Sequence, residues 1–336
     1  MQRWMREIAR VSKNPFTATT PRFLSTTATG DKGDAFLSAS SRGSIAFLSG
    51  KWMPHEECRI PLEDPSFRYG YGAFDTLRTF GGKLFRPHAH IKRFQKTLRS
   101  VGLPQPYSDK EWSELLQECV DKNRQIREEK WGGDHWVSIR VSPGVGGVPT
   151  VVVEAQPIPW AARAPLYRDG VRVSIPSIRR TPPECLPPRA KLHQYMNQIL
   201  GDMEVKGNDP QAWSVMLDTR GYVAEGKSYN FFIVTEDGVL KTARPQYVLE
   251  GVARSTVLEC AQELGVEAQE CDFDVYDVYN AAEAFVSATS LCVLPVCSVN
   301  GRKLSAGVPG PISKRLQAAY SNRAGIDLVD QYLQYL

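Results

Sequence analysis

The stretch from Gly221 to Val234, GYVAEGKSYNFFIV, constrains the fold more than any other part of the chain. It reads as a tight turn, a lone glutamate, a small-polar kink and then a buried strand. Glu225 runs into Phe231-Phe232-Ile233-Val234, and an unpaired charge carried into such a run is very costly. The carboxylate therefore needs a cationic partner. Upstream, PPRAKLHQYMNQIL offers Lys191 just before an amphipathic helix.

Composition narrows the setting. The 336 residues are enough for two domains, each able to bury its own core. The 42% hydrophobic and 23% charged fractions are those of a globular protein, and no apolar run approaches the roughly 18 residues of a membrane helix. A net charge of +4 gives no reason to expect nucleic acid or a membrane as a partner. The seven cysteines are odd in number and form no CxxC, which favours free thiols in a reducing compartment. Five histidines, none at ligand spacing with another His or Cys, argue against a metal site, and none is expected.

Residues 1–43 stand apart. Over residues 1–30, Arg3, Arg6, Arg10, Lys13 and Arg22 face one acid, Glu7, and the segment turns Ser/Thr-rich. A mitochondrial transit peptide has this character, and so does a basic leader with no address.

After the leader, strand-like runs surround Ser49-Gly50 and Gly81-Gly82, both hairpin signals. A helix follows, with Ile91, Phe94, Leu98 and Val101 on one face and a stop at Gly102. A second helix is expected from a Ser108 cap to about Arg127, and then HWVSIRVS and TVVVEAQPI read as paired strands. Strands before and after two helices predict an α+β domain over 44–160, built on an antiparallel sheet. A Pro- and Arg-rich connection spans 161–188. A second domain over 189–325 opens with the helix after Lys191, whose Leu192, Tyr195, Met196, Ile199 and Leu200 follow helical spacing. Hairpins are expected at Asp237-Gly238 and Asn300-Gly301, and a tail occupies 326–336.

Four segments, in order, resemble the class IV, fold-type IV pyridoxal-phosphate enzymes. Lys191, Tyr195 and Asn197 match the family's K-x-x-x-Y-x-N segment, while Leu192, His193 and Gln194 depart from its usual residues. Gly221, Val223, Glu225, Gly226 and Asn230 match G-x-[VI]-x-E-[GA]-x-x-x-N. LEGVARSTVLE resembles L-P-G-[IV]-T-R, with departures at Glu250 and Ala253, and FVSATSLCVLPV resembles F-x-[ST]-G-T-A. In the first domain HAHIKRF matches an H-x-x-R helix, and YGYGAFDTLRT a Y-G-x-x-x-F-[ED]-[TG]-[LI]-R hairpin.

The resemblance implies two α/β domains with pyridoxal 5′-phosphate in the cleft between them, in a homodimer. It makes Lys191 the catalytic Schiff-base lysine; an amine desolvated in an apolar stretch is suited to that chemistry. Tyr195 would hydrogen-bond the cofactor, and Glu225 would hold its ring nitrogen protonated. Arg93, Gly251, Val252, Ala253 and Thr289 would bind the phosphate, partly through a helix N-terminus. Tyr69, Phe74, Arg78, Arg140 and Ser290 would form the substrate pocket. Branched-chain enzymes of the family carry Tyr-x-Arg where this chain has Ser138 and Arg140, and glycine where it has Thr76; the D-amino-acid enzymes place an arginine where it has Pro143. The pocket thus matches no subgroup cleanly. The implied activity is transamination from an apolar L-amino acid to a 2-oxo acid. Transfer from D-amino acids or (R)-amines, aminodeoxychorismate lyase activity, and cofactor binding without turnover are the alternatives.

Overall fold

Residues 41–336 are described by the structure, a computed structural model; the leader expected over 1–43 lies almost wholly outside them. The first layer is a six-stranded antiparallel sheet in the order β2-β1-β6-β5-β3-β4. Its strands are β1 (Ile45–Leu48), β2 (Lys51–Pro54), β3 (Ala73–Phe80), β4 (Lys83–Leu84), β5 (His135–Val145) and β6 (Val148–Pro157). Ser49-Gly50 joins β1 to β2 and Gly81-Gly82 joins β3 to β4, with all four residues at positive φ, as the hairpin signals require.

Three helices, α1 (Pro65–Tyr69), α2 (Pro87–Ser100) and α3 (Asp109–Lys122), accompany this sheet. On α2 the predicted stripe of Ile91, Phe94 and Leu98 is fully buried, and on α3 a reciprocal Ser108–Glu111 capping box starts the helix. The helix expected to reach Arg127 instead breaks at Asn123, and α4 (Arg124–Lys130) follows. The break has a cause. Asn123 accepts from the Ile45 N–H at 2.8 Å and donates to the Ile45 carbonyl at 2.9 Å, satisfying the strand β1 backbone with its side chain.

The second sheet has nine strands among the described residues. Strand β7 (Val171–Ser174) lies parallel to both β14 (Leu294–Val299) and β8 (Trp213–Leu217). The second sheet thus begins inside the connection expected over 161–188, because the alternating Val171 and Val173 find buried neighbours there. Strands β9 (Val223–Gly226), β10 (Asn230–Val234), β11 (Leu240–Thr242), β12 (Ala268–Glu270) and β13 (Glu283–Ser287) complete it, with the short β15 (Arg302–Lys303) on β14. A bridge between Glu225 and Asn230 joins β9 to β10 and closes the sheet on itself. The phenylalanine-rich strand β10 is buried along its whole length, as its composition demands.

Around this sheet lie α5 (Trp160–Asp169), α6 (Met196–Asn208), α7 (Val252–Glu263), α8 (Val275–Tyr279), α9 (Pro311–Ala324) and α10 (Leu328–Leu333). The helix after Lys191 starts at Met196, later than expected, and its apolar face is turned the other way. Met196 and Met203 are 66% and 63% exposed, with Ile199 and Leu200 also exposed. Gly201 and Val205 point inward instead, since Gly201 allows the helix to close on the Met216 side chain. The tail forms a packing helix: Tyr332 of α10 is fully buried between Trp160 and Tyr167 of α5.

Candidate active site

A cavity of about 350 Å³ opens between one face of β3 and β5 in the first sheet and strand ends of the second, and Lys191 lies on its wall. The lysine precedes second-sheet elements in sequence, yet its backbone is stitched to the first sheet. Phe74 N–H donates to the Lys191 carbonyl at 3.0 Å, His193 N–H donates to Gly72 at 2.9 Å, and Lys191 N–H donates to Thr97 Oγ1 at 3.2 Å. The amine then projects over the Phe74 ring, 4.3 Å from its centre, and donates to the Tyr195 hydroxyl at 3.1 Å. Lys191 makes no ion pair with Glu225.

The glutamate's partner is Arg180, whose Nε and Nη2 donate to Oε1 at 3.2 and 3.1 Å. Its other oxygen accepts from the Leu249 N–H at 3.0 Å and the Asn230 amide at 3.3 Å. Burial pushes the Glu225 carboxyl above its usual value, and Arg180 and the Leu249 N–H pull against that shift. Two glycines make the cradle possible. A Cβ on Gly226 would lie 1.9 Å from the Tyr229 ring, and one on Gly251 would lie 2.3 Å from the Asn230 side chain. Asn197 positions the arginine by accepting from Thr181 N–H at 2.9 Å and donating to the Arg179 carbonyl at 2.8 Å, one residue to either side of Arg180.

A second part of the cavity wall is built for an anion. Helix α7 begins at Gly251 with no side-chain cap, so the N–H groups of Val252 and Ala253 are available at the cavity wall. Arg93 stands beside them, donating to the Glu250 carbonyl at 3.0 Å, and is held from behind by Asp75 at 2.9 and 2.7 Å. Burial opposes ionisation of Asp75, but Arg93 and His90 outweigh it and hold its carboxyl far below the usual range. Thr289 donates from Oγ1 to the Thr76 carbonyl at 3.2 Å, and Ser287 Oγ is buried with no hydrogen-bond partner.

Comparison with known proteins agrees with this geometry. The sequence profile of the family described as amino-transferase class IV matches residues 72–299. A putative branched-chain-amino-acid aminotransferase of Methanocaldococcus jannaschii is 30% identical over 301 residues, covering 85% of this chain and 99% of that protein. The crystal structure of a branched-chain aminotransferase from Thermoproteus uzoniensis with norvaline superposes with a TM-score of 0.75 at 28% identity, over 87% of this chain and 98% of that one. A second branched-chain amino acid aminotransferase, complexed with N-(5′-phosphopyridoxyl)-L-glutamate, gives 0.73 at 26% identity, over 84% and 94%.

The chain belongs to the class IV aminotransferases. It is an enzyme of the fold-type IV class, and its cofactor is pyridoxal 5′-phosphate. The residues present fit that cofactor. A free amine, a buried carboxylate and an uncapped helix end line one cavity, and the partnerless Ser287 hydroxyl is a polar atom that a bound group can satisfy. Lys191 would attach the cofactor, Tyr195 and Glu225 would hold its ring, and Arg93, Val252, Ala253 and Thr289 would hold its phosphate.

Within this class IV aminotransferase Gly251, Ser290, Phe74 and Arg140 also line the cavity. Two expected pocket residues do not. Tyr69 is 70% exposed at the end of α1, where Gly70 in the left-handed region turns the chain away. Arg78 shares the face of Phe74 and Thr76 on β3 but lies beyond the cavity, fully buried beneath α10. There it donates to Gln331 at 2.8 Å and packs over the Phe80 ring. Arg140 is in the pocket but already paired, its Nε and Nη2 both 3.0 Å from Glu154. The sequence reading missed Arg180 and Arg163, both within the stretch taken as a connection. The burial of Glu225 signalled that a cation was needed, and the sequence reading offered Lys191 where the structure supplies Arg180.

Proposed function

We propose that this aminotransferase moves the amino group of an apolar L-amino acid, of the branched-chain kind, to a 2-oxo acid. The observation that carries the reading is the Lys191 amine, held between the Phe74 ring and the Tyr195 hydroxyl at the mouth of a cavity whose far wall holds Glu225. Bound pyridoxal phosphate supplies an electron sink for the electron pair left at the substrate Cα. Lys191 takes the Cα proton and returns it on the other side of the transfer. Tyr195, a hydrogen bond away, orients that amine. Glu225, held by Arg180 and the Leu249 N–H, would pair with the ring nitrogen and keep it protonated. The rings of Phe74 and Trp136 offer an apolar wall to the substrate side chain. The relatives named above, described as acting on branched-chain amino acids, support the same reading.

The test is a donor panel followed by the cofactor's absorbance change in single turnover. L-leucine, L-valine and L-isoleucine are expected to react, and D-leucine and (R)-1-phenylethylamine to lag by at least about a hundredfold. Faster reaction with the D-enantiomer or the amine moves the assignment to the corresponding branch of the family, and pyruvate release from aminodeoxychorismate moves it to the lyase.

A homodimer is part of the proposal. The exposed Met196, Ile199, Leu200 and Met203 on α6 give an apolar face that a second copy of this chain can cover. Mitochondrial import by residues 1–43 is proposed on their basic, Ser/Thr-rich composition alone; a fluorescent fusion to that segment tests it.

A further inference from the structure

We infer that Arg163 is a receptor for a substrate carboxylate. This deepens the transaminase reading and rests on it.

The inference comes from pairing the charges around the cavity. Four arginines line it. Arg93 is neutralised by Asp75, Arg140 by Glu154, and Arg180 by Glu225. Lys227 is 3.6 Å from Asp202, and Lys191 is the reactive amine. Among the described residues no carboxylate lies within ion-pair distance of Arg163. Its contacts are neutral: Nη1 donates to Ser290 Oγ at 2.6 Å, the Tyr332 hydroxyl is a second hydrogen-bond partner, and the guanidinium lies over the Trp136 ring, 4.9 Å from its centre.

This arrangement fixes the guanidinium without discharging it. Arg163 sits in the first turn of α5, a helix locked to the core by the buried Trp160, Ala164 and Tyr167. The stack on Trp136 sets the plane of the fork, and the Ser290 hydroxyl uses one donor. The remaining N–H groups keep a full positive charge at the wall of the cavity. A planar fork of this kind matches a carboxylate bidentately, and the gain is greatest where no competing counter-ion is in place.

The phosphate of the cofactor is the other anion in the site, but it is already provided for at the end formed by α7 and Arg93. Ser290 follows Thr289, so Arg163 borders the phosphate end on its substrate side. A carboxylate reaching Arg163 belongs either to the amino acid's α-carbon or to the side chain of a dicarboxylic partner. Both sources present the same chemistry.

The experiment uses the holoenzyme and Arg163→Gln, with Arg163→Lys as a charge-keeping control. Binding of 4-methylvalerate, with one carboxylate, and glutarate, with two, is measured by titration calorimetry. Half-reactions with L-leucine, L-glutamate and 3-methylbutylamine are followed in parallel. Arg163→Gln is expected to weaken carboxylate ligands about thirtyfold or more, to leave cofactor affinity and the amine's reaction unchanged, and to be partly rescued in Arg163→Lys. A loss confined to glutarate and glutamate assigns Arg163 to the side-chain carboxylate; an equal loss for both ligand types assigns it to the α-carboxylate.

Unchanged carboxylate binding, or lost cofactor affinity instead, overturns the inference. Wild-type enzyme that reacts with no amino acid sinks the transaminase reading, which is a separate result. A measurement on the unaltered protein guards against a misfolded variant. Glutarate is expected to protect Arg163 from phenylglyoxal, read by peptide mass, and modification at the same rate with and without glutarate overturns the inference.

Discussion

Arg180 donates from two nitrogens to one oxygen of Glu225, and the Leu249 N–H and the Asn230 amide occupy the other oxygen. The carboxylate's ion-pair partner is thus an arginine and not Lys191, whose amine donates to the Tyr195 hydroxyl instead. Burial still holds the Glu225 carboxyl above its usual value, with Arg180 pulling against that shift.

Removing either member of this pair has a different signature. Arg180→Met leaves Glu225 buried and unpaired, costing about 3–5 kcal/mol of stability. It pushes a carboxyl already raised by burial further up, so the acid limb of the half-reaction profile moves to higher pH. Glu225→Gln abolishes that limb and slows Cα deprotonation about a hundredfold, roughly 2.7 kcal/mol. Stopped-flow rates across pH 5–9 (roughly the accessible range) separate the two; an unmoved acid limb in Arg180→Met contradicts the pairing role.

Asn197 acts one step back, through the backbone on both sides of Arg180. Asn197→Ala removes two hydrogen bonds, about 1 kcal/mol each. It is expected to show a weaker form of the Arg180→Met profile, with cofactor retained. A variant that loses stability but keeps the wild-type pH profile would show that Asn197 supports the loop alone.

Attachment of the cofactor is tested directly. Borohydride reduction of the yellow holoenzyme is expected to fix the cofactor on the peptide containing Lys191, and Lys191→Ala to bind it reversibly with no transfer. A label found at Lys227, the other cavity lysine, would falsify the assignment.

The acid beneath Arg140 gives a pH test of stability. His55 donates to Glu154 at 3.0 Å, and this hydrogen bond raises the imidazole above its ordinary value against the opposing effect of burial. A raised histidine contributes stability that is complete below about pH 6.5 and is lost as pH rises through the folded value. The Glu154 carboxyl is lowered despite its burial, chiefly by His55 and Arg140, so its contribution is lost in the acid direction. Denaturant titrations are expected to show about 1 kcal/mol lost above pH 6.5 (roughly the ordinary histidine value) and no such slope in His55→Gln. Parallel slopes for the two proteins would remove the coupling.

Assembly is tested on α6. Met203→Glu places a charge on the exposed apolar face, and sedimentation is expected to change from dimer to monomer. A wild-type protein that sediments as a monomer at micromolar concentration rejects the dimer outright.

Much of the site was legible in the sequence because its constraints are local. Lys191 with Tyr195, Glu225 between two glycines, and the Gly251 start of α7 each depend on neighbours within a few residues. The resemblance of those short segments to the family's was what placed them. The hairpins at Ser49-Gly50, Gly81-Gly82 and Asn300-Gly301 formed where positive φ was demanded. What misled was apolar periodicity without a partner. The stripe after Lys191 has helical spacing, but spacing does not say which face meets the core, and Gly201 against Met216 decided that.

The sequence by itself therefore determined most of the elements and, through segments that carry their function intact, the family and the chemistry of the reactive groups, while α5 and β7 lay hidden in the expected connection. Only the tertiary structure decided how charges are paired. Arg180 on Glu225 and Arg78 beneath α10 are contacts between distant parts of the chain, each set by the energy of burying a particular ion, and Arg140 on Glu154 follows from the register of β5 against β6. Which arginine is left without a counter-ion is the remainder of that pairing, and no local pattern encodes a remainder.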